Sequence, residues 1–261
     1  MSSYSAYVPP FTTGSILGTG FGTLFSRFGP IVVASALVHL PLLVFFVVAT
    51  PEAIIDYATT PLLSTAVNLL MSFVLAGVLS VLVVSALKDA RTGVGSAFLA
   101  ALKRLHSIIG VTLLLGIVIA VPAGILAFIG VQLGMAGAIV MMIAAVVVAV
   151  VLAAQFFVAL PVAVLERQDM ISALGTSSDL TRGHRLSIIG AMIVVAIITG
   201  VIGFLSGKII EHSVETLDGV KNAMYVAIGI ETLIGTIGPV LSAAAYYLLA
   251  EPEGRLEGAF E

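Results

Sequence analysis

Residues 107–165 read SIIGVTLLLGIVIAVPAGILAFIGVQLGMAGAIVMMIAAVVVAVVLAAQFFVALPVAVL and contain no Asp, Glu, Lys, Arg or His. These 59 positions lie between His106 and Glu166. At 1.5 Å per residue, a helix needs only about 20 residues to cross the roughly 30 Å hydrocarbon core of a bilayer. The run therefore predicts two membrane spans. We expect the turn at Gly130-Val131-Gln132-Leu133-Gly134, where two glycines and a glutamine interrupt the apolar pattern.

The composition agrees with a membrane location. Hydrophobic residues make up 60% of the chain and charged residues 10%, whereas soluble domains have about 25% charged residues. The chain has no cysteine, which excludes a disulfide framework and a zinc–thiolate site. A net charge of −3 argues against nucleic acid as a partner. Residues 1–26 contain no Lys or Arg, so we expect no cleaved signal peptide and a retained first span.

Charged residues also bracket four further apolar runs, for example 28–51 between Arg27 and Glu52. The sequence therefore predicts an all-α, polytopic membrane protein with six transmembrane helices, at roughly 30–50, 62–87, 107–129, 135–164, 186–207 and 223–250.

The basic residues predict the orientation of these spans. Two of them, Lys208 and Lys221, fall on one side of the membrane, and the other nine fall on the opposite side: Arg27, Lys88, Arg91, Lys103, Arg104, Arg167, Arg182, Arg185 and Arg255. The positive-inside rule then predicts that both termini are cytoplasmic. The outer connections would be the segment Pro51–Pro61, the turn at Gly130 and the segment Lys208–Lys221.

A weak repeat divides the chain into three predicted units, 11–91, 92–169 and 170–250, followed by a short cytoplasmic tail, 251–261. Each unit would be a transmembrane hairpin preceded by a short amphipathic interfacial helix. The tetrapeptide Ser-Ile-Ile-Gly occurs at both 107–110 and 187–190. The alternative is that short amphipathic stretches are simply common near membranes. In the first interfacial helix, four apolar residues have the i, i+4, i+7, i+11 spacing of one helical face: Leu17, Phe21, Leu24 and Phe28.

The stretches 159–166 (ALPVAVLE), 172–174 (SAL) and 180–185 (LTRGHR) resemble the bacterial membrane domain found attached to some glycerophosphoryl diester phosphodiesterases. Residues 11–43 are similar to its opening segment. The resemblance implies a stand-alone six-helix protein of the bacterial cytoplasmic (inner) membrane. Two departures are visible: Leu186 stands where the family often has an aromatic residue, and the soluble phosphodiesterase barrel is absent from the sequence. The resemblance therefore does not imply the enzymatic activity.

Four polar residues fall inside predicted spans: His39, Asn68, Gln155 and Glu231. An intramembrane carboxylate is costly and often functional, so Glu231 with His39 suggests a proton or ion relay. Alternatively, Glu231 is protonated or faces a water-filled vestibule, and the two amides join helices by hydrogen bonds.

Two groups of charged residues are further candidate sites. Six basic residues are candidates for binding lipid headgroups: Arg27, Lys103, Arg104, Arg182, His184 and Arg185. The positive-inside rule alone also accounts for them. The segment 211–218 carries Glu211, His212, Glu215 and Asp218, which could ligate a divalent metal; the spacing is not diagnostic of a metal site, and a solvated acidic loop is the favoured interpretation. We predict no bound metal or cofactor.

The sequence favours a non-enzymatic membrane scaffold or accessory subunit that organises lipid or a larger complex. Its partners would be membrane lipids and other membrane subunits or a second copy. Small-residue faces such as Gly14, Gly18 and Gly22, or Gly203 and Gly207, are expected to permit close helix packing. The alternative is a small transporter or channel that uses Glu231 and His39. An intramembrane lipid enzyme is a third possibility, but no catalytic motif supports it.

Overall fold

The structure is a computed structural model that describes residues 9–90, 92–211, 217–252 and 254–256. Some side chains inside helices, including that of Glu231, lie outside the described part. Over the described residues there are twelve α-helices and no strand. They are α1 (Thr13–Ser26), α2 (Phe28–Val48), α3 (Pro51–Thr59), α4 (Pro61–Leu87), α5 (Val94–Lys103), α6 (Leu105–Gln132), α7 (Gly134–Gln155), α8 (Ala159–Leu165), α9 (Met170–Leu180), α10 (Arg185–Glu211), α11 (Leu217–Ile234) and α12 (Ile237–Ala250).

Six helical segments are long and apolar enough to cross a membrane: α2, α4, α6, α7 with α8, α10, and α11 with α12. The chain is therefore a multi-pass membrane protein, and the prediction of an all-α polytopic fold is confirmed. The turn inside the long apolar run is also where the sequence predicts it. The third span ends at Gln132 and the fourth begins at Gly134, whose φ of +75° suits a residue without a side chain.

The fourth and sixth spans are each interrupted. The fourth span breaks at residues 156–158, between α7 and α8, and the sixth breaks at residues 235–236, between α11 and α12. Breaks in a span free backbone carbonyls that must find partners within the protein. The carbonyl of Gln155 accepts from the hydroxyl of Thr181 at 2.9 Å, and that of Phe157 accepts from the hydroxyl of Ser242 at 2.7 Å. The break in the fourth span is thus tied to both α9 and α12.

The segment Pro51–Pro61 is not the loop that the sequence suggested, because most of it forms α3. Pro51 occupies the first turn, where its missing N–H costs nothing, and the Thr50 hydroxyl accepts from the backbone N–H of Ala53 at 3.4 Å. Apolar residues of α3 pack against the far end of α2. This second hydrophobic cluster contains Leu42, Phe46, Ile54, Tyr57 and Ile228.

Short helices α1, α5 and α9 precede the odd-numbered spans, at the positions predicted for the interfacial helices. One detail of the predicted face is wrong: Phe28 is not part of α1. That helix ends at Ser26, and Pro30 in the next helix has no N–H with which to continue the ladder. Phe28 is 48% exposed, whereas Leu24 is buried. The location of these helices at a membrane interface stays a prediction.

The helices pack in a cyclic order. Helices α5 and α9 each pack on the even-numbered span that precedes them along the chain, α5 on α4 and α9 on α8. Helix α1 has no preceding span and packs on the last one, at α12, which closes the cycle. The corners between short helices and spans are alike. The buried Ile31, Ile108 and Ile188 each donate a backbone hydrogen bond to the residue four positions earlier, namely Arg27, Arg104 and His184. This packing follows the order of the three predicted units, whose boundaries stay a prediction.

The core lies where the even-numbered spans meet. Helices α4, α8 and α12 contact one another, and residues 75–85, 161–165 and 243–250 are buried without interruption. The third and fifth spans, and the part of the fourth span formed by α7, are peripheral. In their most apolar stretches only 6%, 6% and 11% of residues are buried, compared with 61% in the second span. One end of the bundle is therefore tightly packed, and most of the third to fifth spans is exposed.

Candidate functional site

The packed end of the bundle also carries most of the described cations. Arg27 directly precedes α2, Arg104 directly precedes α6, and Arg185 is the first residue of α10. Lys88 directly follows α4. We call this end, defined by these four residues, the basic end.

A carboxylate at the end of α8 is the centre of a hydrogen-bond network at the basic end. Oε1 of Glu166 accepts from the hydroxyl of Tyr246 at 2.9 Å and from Nε of Arg255 at 3.0 Å. Oε2 accepts from Nη2 of Arg255 at 2.8 Å and from the amide of Gln168 at 2.9 Å. The Arg255 guanidinium therefore binds the carboxylate in the two-point geometry that gives strong ion pairs. The Glu166 side chain is only 12% exposed, so this pair is partly shielded from water.

A second ion pair joins the end of α12 to the end of α4. Nζ of Lys88 lies 3.4 Å from Oε2 of Glu251 and donates to the carbonyl of Leu256 at 3.0 Å. Leu256 is 2% exposed. We call residues 251, 252 and 254–256 the C-terminal clasp. The sequence placed them in a short tail, but the described part of that tail is docked on the bundle and connects the ends of α4, α8 and α12.

The six predicted headgroup ligands lie at three different corners rather than in one cluster. Arg27 is at the α1–α2 corner, and Lys103 and Arg104 are at the α5–α6 corner. Arg182, His184 and Arg185 are at the α9–α10 corner. There, Arg182 pairs with Asp179 at 3.3 Å, and the His184 ring packs on Phe11 with centroids 4.8 Å apart. Nε of Arg185 is buried and has no hydrogen-bond partner among the described residues.

A crevice opens at the α1–α2 corner. One cavity of about 620 Å³ lies between α2, the end of α4 and the start of α5, and a second of about 490 Å³ adjoins it along α1. Four residues line both: Thr23, Arg27, Ala86 and Asp89. We call this pair of cavities the corner crevice.

The intramembrane polar residues do not converge on one path. The amide of Gln155 donates to the hydroxyl of Ser178 at 2.9 Å, so this residue ties the fourth span to α9. Asn68 accepts from the hydroxyl of Tyr57 at 3.4 Å, at the opposite end of the bundle. These two contacts are of the helix-joining kind. The side chain of Glu231 lies outside the described residues.

His39 is 4% exposed and lies on α2, between the two hydrophobic clusters. Its Nδ1 is 2.8 Å from the carbonyl of Ser35. Because a carbonyl only accepts, Nδ1 carries the proton in this contact, and a neutral ring then has its lone pair on Nε2. The hydroxyl of Ser35 is buried and has no hydrogen-bond partner among the described residues.

The acidic segment 211–218 cannot be placed: residues 212–216, and the side chains of Glu211 and Asp218, lie outside the described residues. Within the described part of the chain, no group of three His, Asp or Glu residues is placed to hold a metal ion.

Asp169 begins α9, next to the Glu166 network. It accepts from the Ser172 hydroxyl and from the backbone N–H groups of Ile171 and Ser172. These hydrogen bonds, that of the Ser172 hydroxyl foremost, lower the pKa of the carboxyl below its usual value of 3.8. The charged cap helps to fix where α9 begins, and α9 in turn holds Gln155.

Comparison with family models matches residues 12–249 to the family described as "Domain of unknown function (DUF7847)". The chain belongs to this family. The match runs from the residue that caps α1 to the last turn of α12, so it covers the whole helical bundle. Neither the comparison with curated proteins nor the comparison with solved structures gives a match.

Sequence reasoning missed the C-terminal clasp and the Glu166 network. In the sequence, Glu166 stands out only as part of the family-like stretch 159–166, and Arg255 only as a basic residue on one side of the membrane. Their partnership joins positions 89 residues apart, and no local pattern marks it. The one available signal was the amphiphilic end of the last span, where Tyr246 and Tyr247 are followed by Glu251.

Proposed function

We propose that this protein is a non-enzymatic integral membrane scaffold or accessory subunit that organises lipid or a larger membrane complex. The observation that carries the proposal is the contrast between the two parts of the bundle. The basic end is a closed ring of packed helices, whereas the third, fourth and fifth spans bury 6%, 6% and 11% of their most apolar stretches within the chain. Such surfaces must contact lipid, a second copy or another membrane subunit.

The ties at the basic end support a structural role. Glu166 is hydrogen-bonded to Tyr246 and to Arg255, which lie 80 and 89 residues further along the chain, and the Lys88–Glu251 pair adds a second connection. A rigid base of this kind holds three peripheral spans in a fixed arrangement without needing a moving part. Partly shielded, two-point ion pairs favour one arrangement of helices over others.

The type of membrane and the orientation of the chain in it are part of the same proposal. The nine-to-two distribution of basic residues and the resemblance of residues 159–190 to the phosphodiesterase-associated membrane domain support a bacterial inner membrane with both termini in the cytoplasm. The partners would be membrane lipids and other membrane subunits or a second copy of this chain.

Photo-cross-linking in intact membranes tests the scaffold role. A photoreactive residue is placed at Ile117, Val147 or Ile197, which are 59%, 55% and 61% exposed on the third, fourth and fifth spans. Val33, 50% exposed on the first span, is the matched control. We expect one defined protein product from at least one of the three positions and none from Val33. Cross-linking to lipid alone from all three positions would contradict a role in a larger protein complex and leave only the lipid part of the proposal.

A small transporter or channel is the second candidate, and His39 is the specific observation that favours it. A buried imidazole with a free Nε2, next to an unpartnered hydroxyl, suits the transfer of a proton or the binding of a polar solute. If this role is correct, Glu231→Gln and His39→Gln will each abolish proton or solute flux in proteoliposomes, with the fold intact. If the scaffold role is correct, both variants will retain the cross-linked product, and the wild type will show no flux above that of empty liposomes.

A further inference from the structure

We propose that the corner crevice binds the headgroup of one phospholipid, of the class that carries a hydrogen-bond donor a few bonds from its phosphodiester. Headgroups that end in an ammonium or in glycerol hydroxyls belong to this class, and choline, which has no donor, does not. The inference rests on the lipid part of the proposed function alone. Its failure would therefore leave the cross-linking result for the third to fifth spans unchanged.

The crevice lies at the depth of lipid headgroups. Arg27 immediately precedes the first span, and Asp89 follows the last residue of the second span by two positions. Both residues line both cavities. Residues at the ends of adjacent spans lie at one membrane boundary, and Phe25 and Phe28, which flank Arg27, are 72% and 48% exposed. Exposed Phe side chains together with Arg are typical of helices that lie at the membrane interface.

The charges of the crevice match a phosphate with a donor attached. The Arg27 guanidinium has neither a hydrogen bond nor an ion pair with any described residue, and it presents several N–H donors to a phosphodiester. Asp89 supplies a carboxylate in the same crevice, and no ion pair within 4 Å joins the two residues. Among the described residues the Asp89 carboxylate has no ion-pair or hydrogen-bond partner, so a ligand with phosphate alone would leave it unmatched there, whereas an added ammonium or hydroxyl group satisfies it.

Two helix ends add to the attraction for phosphate. The N-terminus of α2 begins beside Arg27, and that of α5 begins beside Gly93, which lines the larger cavity. Neither has a side-chain cap, so the first N–H groups of both helices lack that partner. Unpaired N–H groups at a helix start favour an anion.

The shape of the crevice suits an amphiphile rather than a free ion. The charged residues that line it, Arg27 and Asp89, are exposed, whereas the apolar lining residues Ile31, Leu82 and Val83 are buried. A volume of about 620 Å³ falls in the range of small-molecule sites and exceeds what one phosphate ion fills. The adjoining cavity continues along α1, where the positions of side chains on Gly18 and Gly22 would be open space.

Equivalent positions elsewhere in the bundle provide the controls for the test. The hydrogen bond of Ile108 to Arg104 matches that of Ile31 to Arg27, so Arg104 is the counterpart of Arg27. Asp89 has a φ of +53°. The equivalent left-handed position after α12 is Gly254, because the same two backbone hydrogen bonds, spanning three and five residues, surround both. Asp89→Gly therefore removes the carboxylate in favour of the residue that best tolerates this backbone conformation.

The experiment uses native mass spectrometry of the purified full chain in detergent. It measures the binding of short-chain phosphatidylethanolamine, phosphatidylglycerol and phosphatidylcholine. The wild type should bind the first two at least about tenfold more tightly than phosphatidylcholine. Arg27→Gln should weaken binding of all three by at least about tenfold, the scale of one charged hydrogen bond. Asp89→Gly should abolish only the discrimination against phosphatidylcholine, and Arg104→Gln should change nothing.

Three results would overturn the inference. Equal binding of the three lipids by the wild type would remove the role of Asp89. Equal losses in Arg27→Gln and Arg104→Gln would show a general effect of positive charge. Displacement of the lipid by inorganic phosphate at a concentration comparable to its own would assign the crevice to free phosphate. A circular dichroism melt of each variant establishes that it is folded, and Arg27→Lys, which keeps the charge, should retain part of the binding.

Discussion

Replacing Glu166 with Gln should destabilise the bundle more than any other single exchange of a charged residue at the basic end. The carboxylate accepts four hydrogen bonds, two of them from Arg255 and one from Tyr246, which is fully buried. A glutamine offers one oxygen and places an NH₂ group where two donors, Nη2 of Arg255 and the amide of Gln168, point at Oε2. The variant therefore loses charge-assisted hydrogen bonds and gains a clash of donors.

The magnitude follows from the exposure of the pair. An exposed ion pair contributes about 0–1 kcal/mol, and breaking a buried one costs about 3–5 kcal/mol. Glu166 is 12% exposed and Arg255 is 33% exposed, so we expect an intermediate loss of about 2 kcal/mol. For a chain of this size, that loss lowers Tm by about 4–8 °C.

The assay is thermal unfolding in detergent or nanodiscs, followed by circular dichroism or by the accessibility of an introduced cysteine. Asp179→Asn is the matched control, because the Asp179–Arg182 pair also lies at the basic end but its side chains are 74% and 77% exposed. It should cost less than about 0.5 kcal/mol. In the double variant Glu166→Gln/Arg255→Gln, the second substitution should cost less than it does alone. Equal Tm shifts for Glu166→Gln and Asp179→Asn would refute the reasoning.

Three further predictions concern topology, titration and packing. A cysteine at Thr92 should resist a membrane-impermeant thiol reagent in intact cells and one at Ile55 should react; the reverse pattern would invert the topology. The lowered pKa of Asp169 stabilises the fold above pH 3.8, and this contribution is lost as the pH falls through the folded-state pKa. The stability difference between the wild type and Asp169→Asn should therefore vanish at low pH. A difference that persists there would contradict the assignment. Gly190→Ala should cost about 1–3 kcal/mol, because its Cβ would lie 2.6 Å from the Thr13 hydroxyl, whereas Gly203→Ala meets no atom within 4 Å and should not be destabilising; equal melting temperatures would count against the packing of α1 on α10.

The spans could be predicted from the sequence because the signal is local. Charges bracket every apolar run, and a bilayer fixes the minimum length of a crossing helix. The short helices before the odd-numbered spans could be predicted for the same reason, since the spacing of Leu17, Phe21 and Leu24 lies within one segment. Helix α3 was missed because its nine residues give too short a pattern, and its apolar face is recognisable only against Phe46 of α2.

The contacts that hold the bundle together could not be predicted from the sequence. Regular glycine spacing suggested close helix packing at Gly18, Gly22, Gly203 and Gly207, yet each of these positions faces open space. Of the regularly spaced glycines, Gly130 in the predicted turn does allow a close approach, because a side chain there would meet Met141. Further close approaches are at single glycines. A side chain at Gly20 would meet Leu241, one at Gly77 would meet Ile108, and one at Gly190 would meet Thr13. Each of these partners lies on another helix, so spacing along one helix does not identify the glycine that its neighbour approaches.

The candidate site was also only partly predictable from the sequence. Arg27 was singled out from sequence as one of six basic residues, but only the structure shows that it lines a crevice together with Asp89. The left-handed turn that brings Asp89 there has no marker in the sequence, because the residue is not a glycine.

The most direct test of the scaffold role is the mass of the protein extracted from its own membrane into polymer-bounded discs, measured by native mass spectrometry. The account predicts an assembly heavier than one 26.8 kDa chain, with a second copy or another membrane protein in a fixed ratio and with retained phospholipid. A single chain without any protein partner, together with ion or solute flux that is lost in Glu231→Gln, would contradict it.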